Sequence, residues 1–227
     1  MTRIGIVDYG AGNLVSIEQA LTTVGAEAGI VRQPAELEQL DALVVPGVGA
    51  AAPAMARLGR RGLIDPIRRW IAIGRPYLGI CLGLQLLFET SDEDGAEMLA
   101  VLPGRVSLIP GAPTLPHIGW NQVDLVREHA LFAGIPDATD FYFVHSYAGV
   151  PTGITGEAST LAETGHGGRF VSAVDHGNVL GVQFHPERSA GAGLRLLGNF
   201  VRWAEALAAG KGAELSPVGA GGTGGGD

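Results

Sequence analysis

The 227-residue sequence holds one cysteine, Cys81, and one lysine, Lys211. A single cysteine excludes an internal disulfide and any zinc site built from thiolates. Positive charge is scarce: 15 Lys+Arg against 23 Asp+Glu leave a formal net charge of −8. With no basic run, recognition of nucleic acid or of an anionic membrane by charge is excluded. No apolar run is long enough to span a bilayer, and no basic leader with an apolar stretch and a small-residue cleavage site precedes Ile4. The expectation is a cytoplasmic protein whose thiol stays reduced. Only 17% of residues are charged while 46% are apolar, so a large core can form and disorder of the whole chain is excluded.

Short apolar runs alternate with helical spacing through the first half. Ile4–Val7, Gly29–Val31, Ala42–Val45 and Tyr77–Ile80 read as strands. Asn13–Val24, Pro34–Leu40, Leu63–Ile73 and Leu82–Phe88 read as helices, the second opened by proline. Such alternation predicts an α/β fold around an open, mostly parallel sheet flanked by helices. The second half predicts added antiparallel strands at Val106–Leu108, Gln122–Val126, Phe141–Ala148, Arg169–Asp175 and Val179–Phe184, with a break at His176-Gly177-Asn178. A last helix is expected over about Gly193–Leu207. Gly210–Asp227 carries eight glycines in eighteen residues, so a domain over residues 1–209 followed by a disordered tail is expected.

Three segments carry chemistry. Gly79-Ile80-Cys81-Leu82-Gly83 joins a strand to a helix, the cysteine form of a nucleophile elbow. Glycines two before and two after permit the turn without a Cβ clash, and a helix N-terminus favours a thiolate. The competing reading is a small buried hydrophobe. In Phe184-His185-Pro186-Glu187, residues i and i+2 of a strand share a face, which would bring His185 and Glu187 together as base and orienter. The competing reading is a solvated pair. Pro46-Gly47-Val48-Gly49 follows a strand and can offer free N–H groups to an oxyanion; it lacks the Gly-Lys-Ser/Thr ending of a phosphate loop, and a plain turn is the competing reading. The remaining histidines, 117, 129, 145, 166 and 176, have no metal-ligand spacing. All three segments sit at strand carboxyl ends, which line one crevice in an open α/β sheet.

Gly79–Gln85 and Phe184–Glu187 resemble the class I (triad) glutamine amidotransferases over about 200 residues, which implies a flavodoxin-like sheet. Within that class, Pro46–Gly49, Asp8–Asn13, Pro116–Asn121 and Phe141–Tyr147 are similar to the blocks of the glutaminase subunits of imidazole glycerol phosphate synthase. Ile118 stands where methionine is common. The resemblance implies hydrolysis of L-glutamine by Cys81, His185 and Glu187, without a cofactor or metal. The oxyanion would rest on Leu82 and the Val48–Gly49 region, and Gln85, Glu93, Ser146 and Tyr147 would surround the glutamine. It further implies an ammonia tunnel to a separate (β/α)8-barrel cyclase subunit that makes imidazole glycerol phosphate and AICAR, with Asn13 and Trp120 facing that partner. A core position is the competing reading for Trp120. Two alternatives stand beside this one: the glutaminase of another synthase, such as anthranilate synthase, and a non-catalytic binding module on the same fold.

Overall fold

A computed structural model describes residues 1–210. The expected tail therefore lies outside the described residues from residue 211 onward. In chain order the elements are β1 (Arg3–Val7), α1 (Leu14–Thr23), β2 (Glu27–Val31), β3 (Ala42–Gly47), α2 (Ala51–Arg60), α3 (Ile64–Ala72), β4 (Tyr77–Cys81) and α4 (Leu82–Gln85). They continue with β5 (Thr90–Ser91), β6 (Gly104–Leu108), β7 (His117–Leu125), β8 (Thr139–His145), β9 (Tyr147–Pro151), α5 (Gly153–Ala158), β10 (Thr160–His166), β11 (Gly168–His176), β12 (Val179–Val182) and α6 (Ala190–Ala208).

Nine strands form one sheet in the order β2-β1-β3-β4-β12-β11-β10-β7-β8. The first five run parallel and the rest antiparallel, as the change of character halfway along the sequence predicts. The parallel part has the flavodoxin order 2-1-3-4, with β12 returning from the far end of the chain to take the fifth place beside β4. A second, three-stranded sheet joins β5, β6 and β9.

Parallel strands must be covered on both faces, and alternate residues of β3 meet different cores. Ala42 and Val44 pack with α1 and α6 through Ile17, Leu21, Leu197 and Phe200. Leu43 and Val45 pack with α2 and α3 through Leu58, Ile67 and Trp70. Each large aliphatic side chain so buried contributes about 1.5–3 kcal/mol. This three-layer arrangement fixes the carboxyl ends of β3, β4 and β12 side by side: Gly47 is in register with Cys81, and Ile80 with Val182.

Several elements depart from expectation. The helix over Leu82–Phe88 is only the single turn Leu82–Gln85, because Leu86, Leu87 and Phe88 turn away into the core beneath Gly149 rather than extending a face. Pro34–Leu37 is one 3-10 turn, shorter than the helix expected to Leu40. The strand expected over Phe141–Ala148 is two strands, β8 and β9, broken at Ser146 where the chain passes from one sheet to the other. Helix α2 and strand β10 had no counterpart in the sequence reading.

Candidate active site

Cys81 is the last residue of β4 and the cap of α4, with φ 55° and ψ −110°. That backbone is strained for a residue with a Cβ, and it turns the thiol off the sheet. The glycines around it act by close approach, and neither has a positive φ. A Cβ on Gly79 would lie 2.5 Å from the Gly83 carbonyl oxygen, and one on Gly83 only 1.7 Å from that of Val45. The buried Tyr77 hydroxyl donates to the Gly83 carbonyl at 3.1 Å and braces the turn. A four-residue helix aligns few peptide dipoles, so the thiolate-favouring end expected of a longer helix is reduced to the local N–H groups.

His185 lies three residues beyond β12. Its N–H donates to the Tyr142 carbonyl at 2.9 Å, and its carbonyl accepts from Ser189 Oγ at 2.7 Å. Helix α6 approaches this turn closely: a Cβ on Gly193 would sit 1.9 Å from the Pro186 carbonyl oxygen. Glu187 is not on the strand, as the two-residue spacing had implied. Pro186 opens a 3-10 turn, Pro186–Arg188, and that turn brings Glu187 back to the ring. His185 Nδ1 donates to Glu187 Oε1 at 2.8 Å, with the carboxylate side chain 1% exposed. His185 Nε2 is buried without a hydrogen-bond partner. Burial opposes a charge on this imidazole, but the Cys81 sulfur and then Glu187 outweigh it and raise His185 to about 10. No hydrogen bond joins the ring to the sulfur; in an unliganded site such contacts are often long and tighten when substrate binds.

The Cys81 thiol opens on a cavity of about 280 Å³. Val48, Gly49, Leu82, Gln85, Glu93, Ser146 and Tyr147 all line it, so the structure brings together every residue expected around the substrate. Gly49 has φ +89°, and no hydrogen bond among the described residues engages the N–H of Val48 or Gly49. Glu93 is pushed up from the usual carboxylate range by burial and then by Asp94. Gln85 is 5% exposed, and its Nε2 donates to the Tyr147 carbonyl at 2.7 Å and to Gln183 Oε1 at 3.0 Å, which leaves its own Oε1 as an acceptor.

His185 and Glu187 face a second, smaller hollow of about 80 Å³, bounded by Asn13, Gly47, Val48, Val144 and Arg188. Val48 and Val144 border both hollows. Asn13 is exposed and caps α1, its Oδ1 accepting from the Ser16 N–H at 3.4 Å. Trp120 is not a core aromatic: it is 55% exposed, edge-on to Tyr142, beside Ile118 at 60%. Arg188 stacks over the other partner in this group, its guanidinium 4.0 Å from the Tyr142 ring centre. A larger hollow of about 840 Å³ lies over residues 125–137, away from Cys81, and is lined by none of Cys81, His185 and Glu187. Among the described residues no cluster has the composition of a metal site, and no helix is long and apolar enough to cross a membrane.

Sequence reasoning missed Gln183, which is fully buried with its Nε2 3.6 Å from Cys81 Sγ. The available signal was a polar residue inside the apolar run before His185. It also missed Tyr9, whose buried hydroxyl lies where a Cβ on Gly47 would be. Burial, and then the Cys81 sulfur, push the Tyr9 phenol well above its ordinary range.

The sequence matches the family model for glutamine amidotransferase class-I over residues 5–203. It is 49% identical over 205 residues to the imidazole glycerol phosphate synthase subunit HisH of Symbiobacterium thermophilum, covering 89% of this chain and 94% of that one. Identity to the subunit of the same name from Moorella thermoacetica is 48% over 201 residues, covering 88% and 94%. A crystal structure of a glutamine amidotransferase superposes with a TM-score of 0.69 at 24% identity, covering 89% of this chain and 98% of that one, a likeness of fold.

Proposed function

The chain belongs to the class-I glutamine amidotransferase family, and from that premise we propose that it is the glutaminase subunit of an imidazole glycerol phosphate synthase. It hydrolyses L-glutamine through Cys81, His185 and Glu187 and delivers the ammonia to a (β/α)8-barrel cyclase subunit, as one half of a cytoplasmic heterodimer. The observation that carries this is the strained Cys81 at the mouth of a cavity lined by every expected substrate contact, with the buried His185–Glu187 pair behind it.

In the proposed reaction Cys81 attacks the side-chain amide carbon of glutamine. The carbonyl oxygen takes up the negative charge and rests on the N–H of Leu82 and one from Val48–Gly49. His185, having received the thiol proton, gives a proton to the departing nitrogen, and the C–N bond breaks to leave a thioester. Water then attacks the thioester with His185 as base, and glutamate leaves as the thiol is restored. Glu187 holds Nδ1–H throughout and fixes the tautomer that presents Nε2 to sulfur. The amide of Gln85, and Glu93, Ser146 and Tyr147, hold the glutamine.

Ammonia released into water would be protonated and lose its nucleophilicity. The small hollow at His185, bordered by Asn13 and Arg188, offers it a protected exit. The exposed Trp120 and Ile118 on the neighbouring β7 supply an apolar face for the barrel. In the complex, Cys81→Ser abolishes glutamine-dependent synthesis and keeps ammonia-dependent synthesis. Loss of both activities, with the complex intact, would overturn this division of labour, and glutamine hydrolysis that is the same without the barrel would argue against the partnership.

A further inference from the structure

A side chain that the triad does not use lies against the nucleophile. Gln183 is fully buried, its N–H is tied to the Ser172 carbonyl at 2.9 Å, and its amide reaches Cys81 Sγ at 3.6 Å. An amide can face sulfur with either end: its oxygen would repel a thiolate and its N–H would stabilise one. The neighbours decide which. The Tyr147 carbonyl can only accept, and both Gln85 Nε2 at 2.7 Å and His145 Nδ1 at 2.8 Å approach it, so both are donors. The second contact of Gln85 Nε2 is Gln183 Oε1 at 3.0 Å. That oxygen is therefore occupied, and the nitrogen of Gln183 is the end that faces Sγ.

The network extends outward with no alternative assignment. Burial keeps His145 uncharged, lowering it to about 3, so with Nδ1 protonated its Nε2 accepts from His117 Nδ1 at 3.2 Å. Burial and His166 likewise lower His117 to about 4, and its Nε2 accepts from Asn121 Nδ2 at 3.1 Å. Asn121 also donates to the Gly165 carbonyl at 2.8 Å, which fixes its own orientation. Each amide and ring in the series is locked by the next, from β7 to the sulfur.

We propose that Gln183 is a catalytic residue that donates its amide N–H to Cys81 Sγ and favours the thiolate, while its Oε1 holds Gln85 in register with the nucleophile. This rests on the reading of Cys81 as the nucleophile in glutamine hydrolysis. Gln183→Met removes the donor and keeps the volume; Gln183→Glu keeps the acceptor that Gln85 needs and replaces the N–H with oxygen.

The first measurement is the pH profile of Cys81 alkylation by iodoacetamide in the full chain. The profile moves to higher pH by about one unit in Gln183→Met, the size of one hydrogen bond to a charged group. A folding defect alone would not move it in this way. The second measurement is glutamine turnover by the complex at neutral pH. Here kcat falls about tenfold in both variants, with KM kept in Gln183→Glu and raised in Gln183→Met. An unmoved alkylation profile in folded Gln183→Met overturns the proposal. If that variant fails to fold, an unmoved profile in Gln183→Glu does so. Failure of the nucleophile reading is separate: it would show as glutamine hydrolysis surviving in Cys81→Ser, whatever the alkylation profile.

Discussion

Comparing Cys81→Gly with Cys81→Ala isolates the strain stored at the proposed nucleophile. At φ 55° and ψ −110° Cys81 lies outside the small left-handed region open to residues with a Cβ, so a cost near the top of the usual range, about 3 kcal/mol, is expected. Alanine deletes the sulfur and keeps the Cβ, so it keeps the strain. Glycine releases it, at a cost of about 1 kcal/mol in added freedom of the unfolded chain and ~0.8 kcal/mol for the buried methyl it lacks. The difference leaves glycine the more stable of the two by about 1 kcal/mol. At an unstrained buried position the order is the reverse, which makes the sign diagnostic. Urea titration of both variants side by side measures it, and thermal melting should place the glycine variant about 2–4 °C higher for a domain of this size. Alanine equal to or above glycine would refute the claim that the elbow is strained. Neither variant should hydrolyse glutamine.

Gly83→Ala should cost at least about 3 kcal/mol or prevent folding, because its Cβ meets the Val45 carbonyl at 1.7 Å inside a parallel strand that cannot shift; Gly29→Ala, with nothing within 4 Å, is the control and should melt near the parent. Acid should weaken the fold through the buried histidine pair: with His145 at about 3 and His117 at about 4 against 6.5 when unfolded, the unfolded chain binds more protons as pH falls, so their stability is complete above about pH 6.5 and declines toward pH 4. Each should contribute about 1.4 kcal/mol per pH unit in that window, and His117→Phe should flatten the acid limb; an unchanged slope between pH 6.5 and 4.5 would contradict this.

The site was legible where chemistry and backbone make the same demand. Gly-x-Cys-x-Gly is readable because Gly79 and Gly83 touch backbone that no Cβ can approach, and His185 because a proline turn stops the strand beside the thiol. Periodicity failed where every side is buried. Leu82, Leu84, Leu86, Leu87 and Phe88 keep an apolar spacing whether or not the helix continues, and burial on all sides leaves no polar face to mark its end. Helix α2 went unread for the opposite reason: its buried side is Ala51, Ala54 and Leu58, at helical spacing but too small to stand out, with Pro53 in the first turn where it displaces no hydrogen bond. The break at Ser146 carries no glycine or proline, and Phe141, Phe143 and His145 alternate right up to it, so nothing local announces that the chain changes sheets. Gln183 was passed over because its meaning is relational: only the neighbouring Gln85 and Tyr147 show which end of its amide meets sulfur.

The costs of this fold are not spread evenly. Five buried side-chain polar atoms lack a partner among the described residues, and three of them, on Tyr9, His185 and Glu187, belong to the surroundings of Cys81 and its proposed base. Four non-glycine residues among those described have a positive φ, Cys81, Ala100, Ala138 and Ala190, and of these only Cys81 borders the cavity. The parallel half of the sheet is otherwise packed on both faces by aliphatic side chains near zero exposure. Random imperfection would scatter such defects, and selection for stability alone would remove them, since satisfying a buried polar atom regains about 1–3 kcal/mol. Their convergence around one sulfur fits the proposed reactive centre. In the proposed mechanism His185 Nε2 stays unpartnered to exchange a proton, and Cys81 leaves the sheet to meet the glutamine. The antiparallel half supplies the counterweight: its ring-and-amide network is satisfied at every link from Asn121 to Gln183, and it ends on the same atom. A change that adds stability by partnering His185 Nε2 or relaxing Cys81 should therefore lower glutamine turnover, whereas one that reinforces the network should not.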